Sequence, residues 1–318
     1  MKLNYPKPTE SIEVAKTDLK KWGYCLLKNA IPPDLNSRAM ERLIEQANAE
    51  KELNLAYEDG SEKKKWGDFN NNTDAPGVNQ RVWMLPNKGK VFLDILAKHN
   101  YVDCVKEIVG DEFLVSSFGA NIAKPGGLKM DLHTDQWWAP EPTKPGRRNL
   151  PVGSMTRKKF DCDLGFSGVK SAIAPAACSN VIFMMNDFTD ENGGTRLVPG
   201  SHMFGRHPDL IKDKDIETVA AEGNSGTALI TDGRVWHGTG ANATKENRIA
   251  MLLTFCGPQY RPQVNYPVAL DSAILKSASD RQKALFGLKI WWGYGRTGDP
   301  NLDFIDPDGQ TLGKLTLS

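Results

Sequence analysis

The side chains best suited to bind a metal ion lie in two short stretches, residues 132–138 and 235–240. In an extended strand, alternate side chains point to the same face. His133 and Asp135 can therefore place an imidazole and a carboxylate on one surface, and His237 can supply a third ligand from a second strand-like segment. Two histidines and one carboxylate on one face of a metal ion leave the opposite face open, which is the preferred site of non-haem Fe(II) oxygenases.

The composition gives no sign of a charged macromolecular partner. The 318 residues include 40 lysines and arginines against 39 aspartates and glutamates, a balance that argues against a nucleic-acid or membrane-surface role. No apolar segment approaches the length of a membrane span, and the N-terminus carries no apolar signal region. The cysteines show no close metal-type pairing, which fits reduced, mostly buried thiols; they are Cys25, Cys104, Cys162, Cys178 and Cys256. We expect a cytoplasmic protein with a small-molecule partner, and the sequence carries no signal for an oligomeric state.

The elements that must position these residues can be predicted from apolar spacing and from turn residues. Three helices are expected in the first third of the chain, over residues 11–22, 33–47 and 91–99, with Phe92, Ile95 and Leu96 buried. A polar loop is expected over 59–79. Short strands are expected over 24–27, 81–85, 113–115, 120–123, 180–185, 227–231 and 247–255. Helices followed by short strands and glycine-rich turns predict an antiparallel β-sandwich or barrel with helices packed outside.

One long segment, residues 139–177, is rich in proline, glycine and basic residues. Structureless runs of this length inside a compact domain are uncommon and are usually functional or disordered. The segment lies between the His133 strand and the next core strand, so we interpret it as a mobile lid over the metal centre. The alternative is a solvated insertion far from that centre.

Four motifs in order make the sequence resemble the phytanoyl-CoA dioxygenase family of Fe(II)- and 2-oxoglutarate-dependent oxygenases. They are His133-Thr134-Asp135, Asn192-Gly193-Gly194, Pro199-Gly200-Ser201-His202 and His237-Gly238-Thr239-Gly240, followed by Arg248. The arginine falls eleven positions after the second histidine of the metal set (248 − 237), as the family pattern expects. The resemblance extends over roughly residues 10–270.

This resemblance implies a mainly β fold, a double-stranded β-helix (a cupin-like jelly roll) with N-terminal helices packed outside. We expect a single domain with a helical part over about 1–110, a jelly-roll core over about 111–260 and a C-terminal extension over 261–318. It also implies Fe(II), the cosubstrate 2-oxoglutarate and O2, with His133, Asp135 and His237 as the catalytic metal ligands. Three protein ligands leave three positions on iron, enough for bidentate 2-oxoglutarate and one O2.

The cosubstrate residues follow from the same resemblance. Arg248 opens an alternating strand, and its planar guanidinium suits the far carboxylate of 2-oxoglutarate; the alternative is a surface ion pair. Thr239 lies on the same face as His237 and can add a hydroxyl bond, while Thr195 either contacts the cosubstrate or caps a turn. Relatives often carry glutamine two or three residues before the first histidine, where this chain has Met130 and Asp131.

The remaining histidines are interpreted as structural, and four residues, three of them tryptophans, are candidates for the substrate wall. His202 belongs to a turn that is structural in the family, and His99 and His207 fit surface or core positions. Trp137 and Trp138, directly beyond a ligand, are candidates for a substrate wall, although such residues more often belong to the core. Trp83 and Met84 are weaker candidates for the opposite wall.

The function predicted from the sequence is oxidation of an unactivated C–H bond in a small, largely apolar molecule, in specialised (natural-product) metabolism. Asp135 favours hydroxylation or another oxidation over halogenation, because related halogenases replace this carboxylate with a small residue. Two alternatives remain open: a non-catalytic cupin-like metal- or ligand-binding protein, and a zinc hydrolase that uses the same ligands. Neither needs a carboxylate clamp such as Arg248.

Overall fold

Ten β-strands form two antiparallel sheets in the computed structural model, which describes residues 4–67, 77–97, 99–136, 139, 174–290 and 303–305. The strands are β1 (Tyr24–Leu27), β2 (Tyr57–Asp59), β3 (Asn79–Val82), β4 (Leu114–Ala123), β5 (Cys178–Met184), β6 (Arg196–Leu197), β7 (Val219–Ala220), β8 (Ala228–Asp232), β9 (His237–Gly238) and β10 (Arg248–Cys256). The major sheet has the order β1-β8-β5-β10-β4-β3-β2, and the minor sheet has the order β7-β6-β9. The predicted β-sandwich is confirmed.

The first helix, α1 (Ile12–Trp22), ends where the sequence predicts. Ser11 caps its N-terminus by accepting a hydrogen bond from the Val14 N–H at 3.3 Å. Gly23 ends it with a φ of 79°, a left-handed conformation that favours glycine. A Cβ on Gly23 would lie 2.5 Å from Nδ1 of His202. This position therefore requires glycine for its conformation and for the close contact, and β1 follows at once.

Three further helices precede β4: α2 (Pro33–Glu52), α3 (Lys90–Ile95) and α4 (Tyr101–Val109). The helix predicted over 91–99 ends earlier, at Ile95, because its last turn tightens and the Leu96 N–H donates to the Leu93 oxygen. His99 then donates from Nε2 to the Asp94 oxygen at 3.0 Å. Phe92, Ile95 and Leu96 are buried as predicted. Helix α4 was not predicted.

Two strand predictions need correction. The segments predicted over 113–115 and 120–123 belong to one strand, β4, which begins at Leu114, because Ser117, Phe118 and Gly119 between them pair with β10. The register shifts once, at Ser116. The strand predicted over 81–85 ends at Val82, since Met84 has a φ of 58° and Leu85–Lys88 forms a 3₁₀ helix. The ends of the predicted loop over 59–79 belong to strands β2 and β3.

The two faces of the major sheet meet different partners. On β5, Val181 and Phe183 join the large core beneath the helices. Ile182 and Met184 point the other way and join a smaller core with residues near the minor sheet. We call these the helix face and the site face. Strand alternation thus gives each central strand one side for packing and one side for the site.

Between β10 and residue 290, the structure describes three short helices: α5 (Tyr266–Ala269), α6 (Ser272–Ser277) and α7 (Asp280–Leu285). Tyr266, Leu285 and Phe286 join the core of the helix face. Among the helices in the described ranges, none combines the length and the apolar character needed to cross a bilayer. The expected division into helical part, jelly-roll core and C-terminal extension stays a prediction. Residues 140–173, most of the predicted lid, lie outside the described residues.

Candidate metal and cosubstrate site

The two histidines of the predicted metal set are joined through their main chains. The His133 N–H donates to the His237 oxygen at 2.9 Å, and the His237 N–H donates to the His133 oxygen at 3.0 Å. Asp135 lies in a turn rather than in the extended strand that the sequence predicted. Its N–H donates to the Gly233 oxygen at 2.9 Å, next to strand β8. One β-bridge and one turn therefore bring the three residues to the same place.

The ligand atoms of these three residues converge. One nitrogen of each histidine and a carboxylate oxygen of Asp135 all lie within 4.8 Å of one another. Nε2 of His133 lies 3.4 Å from Oδ1 of Asp135, and Nε2 of His237 lies 3.3 Å from Oδ2. Metal–ligand bonds of about 2.0–2.2 Å connect atoms at such separations. The geometry fits one ion.

The hydrogen bonds of both rings leave Nε2 as the metal-binding atom. Nδ1 of His133 lies 3.1 Å from the Asp131 oxygen, and Nδ1 of His237 lies 3.0 Å from the Val235 oxygen. A carbonyl oxygen only accepts, so each Nδ1 carries the proton and the neutral ring has its lone pair on Nε2. Both Nε2 atoms face Asp135, so a metal ion bound by the neutral rings would lie between them and the carboxylate.

The electrostatics of the cluster favour a charged Asp135. Burial alone would raise the pKa of Asp135, but His237 and His133 outweigh it and hold that pKa well below its ordinary value. Burial would likewise lower the pKa of His237, but the Asp135 carboxylate outweighs it and raises that pKa. The site therefore presents a carboxylate that attracts positive charge, as a metal site requires.

Arg248 is a buried cation with an unsatisfied guanidinium. It opens β10 on the site face and is only 1% exposed. Its Nε and Nη2 have no hydrogen-bond partner within the part of the chain that the structure describes. Burial, with a smaller contribution from Arg81, lowers its pKa to about 10, so it stays charged at neutral pH. The guanidinium lies over the Phe188 ring, with Cζ 4.9 Å from the ring centroid, but a ring provides no hydrogen-bond acceptor for Nε and Nη2. Buried N–H donors of a charged group without an acceptor are costly, which points to an anionic ligand that completes them.

Arg248 and the metal set line one cavity of about 190 Å³, together with Thr195 and Thr239. The cavity is small beside the roughly 300–1,000 Å³ of pockets that enclose drug-sized ligands. It therefore suits a metal ion and a small dicarboxylate better than a bulky substrate. The donor set of two imidazoles and one carboxylate suits Fe(II), and the unpaired guanidinium suits a carboxylate. The residues present fit both groups.

The predicted substrate residues have different positions. Trp83 lines the cavity and is 37% exposed. Met84 packs against the large core of the helix face. Trp137 and Trp138 lie outside the described residues. At the position where relatives carry glutamine, Met130 lines the cavity, while the main chain of Asp131 holds the His133 ring.

The other histidines lie apart from the metal set. His202 is buried against Gly23. Nδ1 of His207 lies 2.7 Å from Oγ1 of Thr134, and both residues are buried. His99 follows α3, as described above. These positions agree with the surface, core or turn roles predicted for the three histidines.

The cavity also contains polar residues that the sequence analysis did not identify. They are Arg81, Ser117, Asn121, Asn180, Thr254 and Gln263. Several stand at every second position of otherwise apolar strands, and such polar interruptions are a signal that could have found them. Asn180 is the most directly involved, because its Nδ2 donates to Oδ2 of Asp135 at 2.6 Å.

Comparison with known proteins places the chain among oxygenases. The profile of the family described as phytanoyl-CoA dioxygenase (PhyH) matches residues 19–250. Dioxygenase af480 of Aspergillus fumigatus is 28% identical over 297 residues, which cover 92% of this chain and 81% of that protein. The multifunctional dioxygenase prhA of Penicillium brasilianum is 33% identical over 177 residues, which cover 52% of this chain and 49% of that protein.

Solved structures extend the likeness to the fold. The epimerase SnoN, crystallised with Fe³⁺, α-ketoglutarate and nogalamycin RO, superposes with a TM-score of 0.55 at 12% identity, over 79% of this chain and 86% of SnoN. A likeness at so low an identity speaks for the fold alone. The predicted double-stranded β-helix is confirmed.

Proposed function

This chain belongs to the phytanoyl-CoA dioxygenase family, whose members use Fe(II), 2-oxoglutarate and O2, and from that premise we propose that it oxidises an unactivated C–H bond of a small, largely apolar molecule. The observation that carries the proposal is the buried guanidinium of Arg248, whose Nε and Nη2 have no hydrogen-bond partner among the described residues, in the same cavity as His133, Asp135 and His237. That combination provides one place for a metal ion and another for an organic carboxylate.

His133, Asp135 and His237 would hold the iron. When bound, iron supplies the redox chemistry: 2-oxoglutarate, O2 and the substrate R–H become succinate, CO2 and R–OH. The protein contributes three ligands that leave the rest of the coordination sphere open. The main-chain pairing of the two histidines fixes their separation before any ligand arrives.

Arg248 would bind the carboxylate of 2-oxoglutarate that lies farther from the metal. Its fork can donate two parallel hydrogen bonds, and burial strengthens them because little water competes. Thr239 and Thr195 line the same cavity and can each donate a hydroxyl hydrogen bond. The cosubstrate would thus supply the partner that the guanidinium lacks.

The substrate class rests on the cavity wall and on the relatives. Ile182, Leu252 and Trp83 give the wall an apolar part, and the chain has a net charge of only +1. SnoN acts in the biosynthesis of nogalamycin, an observation about that protein that supports a role in natural-product metabolism here. The two alternatives, a non-catalytic binding protein and a zinc hydrolase, give no reason for a buried guanidinium at this position.

The test is an anaerobic titration with Fe(II) and 2-oxoglutarate. We expect a visible charge-transfer band when both are present, and formation of succinate once O2 is admitted. Fe(II) alone and 2-oxoglutarate alone serve as controls, and neither should give the band. If the band is absent with both present, the alternatives are favoured and the proposal fails.

A further inference from the structure

Asp135 needs support from outside its own segment. It lies in a turn, and its side chain is 32% exposed. Packing alone therefore does not fix the rotation of its carboxylate. Its main-chain N–H donates to the Gly233 oxygen, a bond that positions the main chain and does not itself orient the carboxylate. A ligand that can rotate loses part of its affinity, because binding must then order it.

Asn180 holds the carboxylate from the most constrained part of the fold. It belongs to β5, which lies between β8 and β10 in the major sheet, and it is only 4% exposed. Its Nδ2 donates to Oδ2 of Asp135 at 2.6 Å, the same oxygen that faces Nε2 of His237. A hydrogen bond to an ionised carboxylate is about twice as strong as one between neutral groups. The bond joins a turn to a central strand.

The orientation of the Asn180 amide is itself determined. An ionised carboxylate can only accept hydrogen bonds, so the amide must turn its NH2 group to Asp135. Its Oδ1 then accepts from Oγ1 of Thr254 at 2.9 Å. Thr254 is the residue directly opposite Asn180 on β10. The chain of bonds therefore runs from the β10 hydroxyl through the β5 amide to the carboxylate in the turn.

We propose that Asn180, held by Thr254, is a positioning residue that orients Asp135 as a metal ligand. The proposal rests on the proposed function, because it presupposes that His133, Asp135 and His237 bind the ion. When a residue that hydrogen-bonds to a metal ligand is replaced, the affinity of the site for the metal typically falls about 10–100-fold. Asn180 has the same relation to Asp135 that the Asp131 and Val235 carbonyls have to the two histidine rings.

The experiment measures the dissociation constant of Co(II) by anaerobic calorimetry and follows its visible spectrum, without 2-oxoglutarate or O2. We expect Asn180→Ala to bind Co(II) about 10–100-fold more weakly. Thr254→Val removes a hydroxyl at nearly constant volume and should weaken binding about two- to tenfold, and Thr254→Ser should restore it. In the double variant, Thr254→Val should add nothing to Asn180→Ala, because the hydroxyl acts only through the amide.

Ser179→Ala is the matched control. Ser179 precedes Asn180 on β5, is fully buried, and points to the helix face. It should leave Co(II) affinity unchanged. Equal Co(II) affinity and an equal spectrum in Asn180→Ala and the wild-type protein would overturn the proposal. If Asn180→Ala does not fold, Thr254→Val and Thr254→Ser decide in the same way. If instead His237→Ala binds Co(II) as well as the wild-type protein does, the proposed function itself is wrong.

Discussion

The helix face and the site face of the major sheet are built from the same strands but follow opposite rules. On the helix face, aromatic rings fill the space: Tyr101 packs against Phe183 with ring centroids 5.3 Å apart, and Phe113 packs against Phe255 at 5.0 Å. On the site face, buried polar atoms of Asn121 and Arg248 have no hydrogen-bond partner among the described residues. The helix face is thus filled mainly by apolar and aromatic side chains, although the buried hydroxyls of Ser179 and Tyr266 also lack a partner there within the described part of the chain, whereas the site face carries the charged and amide groups that line the cavity.

The difference shows where stability and function are located. Each unsatisfied buried polar group costs roughly 1–3 kcal/mol, a cost that the helix face must offset with apolar burial. Because strand side chains alternate, Ile249 and Met251 can stabilise the very strand on which Arg248 and Thr254 face the cavity. We therefore expect changes on the two faces to separate cleanly into effects on stability and effects on ligand binding.

The largest effect should come from His237→Ala. Loss of one of three metal ligands should abolish O2-dependent turnover, because the remaining pair cannot hold the ion in place. The thermal unfolding midpoint should change by only about 1–2 °C, the shift expected for roughly 1 kcal/mol in a chain of 318 residues. Turnover and calorimetric melting are the two measurements. Retained turnover would show that His237 is not needed as a ligand. A large fall in the unfolding midpoint would show that changes on the site face also affect stability.

Phe183→Ala tests the opposite face. Removing a fully buried ring should lower the free energy of unfolding by about 3–5 kcal/mol, through lost transfer energy and the cavity left behind. The affinities for metal and 2-oxoglutarate should stay unchanged in the molecules that remain folded. Denaturant unfolding measures the first quantity and calorimetric titration the second. A weaker metal site in this variant would show that the two faces are mechanically coupled.

Arg248→Lys should weaken the binding of 2-oxoglutarate and leave the affinity for the metal nearly unchanged. Lysine keeps the charge but loses the bidentate fork, and a lost charge-assisted hydrogen bond is worth roughly 1.5–3 kcal/mol, or about one to two decades in affinity. The dissociation constants of Fe(II) and of 2-oxoglutarate should be measured separately under anaerobic conditions. An unchanged dependence on 2-oxoglutarate would mean that another residue binds its carboxylate.

The smallest effects should come from single hydroxyl groups. Thr239→Val should lower the affinity for 2-oxoglutarate by about two- to tenfold, the usual contribution of one neutral hydrogen bond. Thr231→Val is the comparison, because its hydroxyl on β8 is buried, has no hydrogen-bond partner within the described ranges and lies outside the cavity lining. That variant should bind 2-oxoglutarate normally and unfold at the same or a slightly higher temperature. If Thr239→Val and Thr231→Val lose the same affinity for 2-oxoglutarate, Thr239 has no specific role in binding it.

The sequence could predict those features that depend on local chemistry. Gly23 ends α1 because one residue must adopt a left-handed conformation, and strand alternation correctly separates Arg248 from Ile249. His133 and Asp135 alone could have been a polar pair at a strand edge, and the metal set could be predicted only because His237 and Arg248 follow them in the order of the family. The resemblance to a family supplied the cosubstrate residues and the fold.

Other features depend on contacts that no local pattern encodes. The bond between Asn180 and Asp135 joins residues 45 positions apart, and only the packed sheet brings them together. Asp135 was expected in a strand, but its main chain lies in a turn, where its N–H donates to the Gly233 oxygen. Strand β4 was predicted in two pieces because its middle is polar and small, and its pairing with β10 overrides that weak propensity.

The reciprocal main-chain bonds between His133 and His237 also set an order of events during biosynthesis. The two residues are separated by 104 positions (237 − 133), so His133 is synthesised long before its partner. Contacts of such long range form only after the intervening loop has closed. We therefore expect that the nascent chain offers no completed site, and that iron is acquired by an already assembled protein rather than by one still being made.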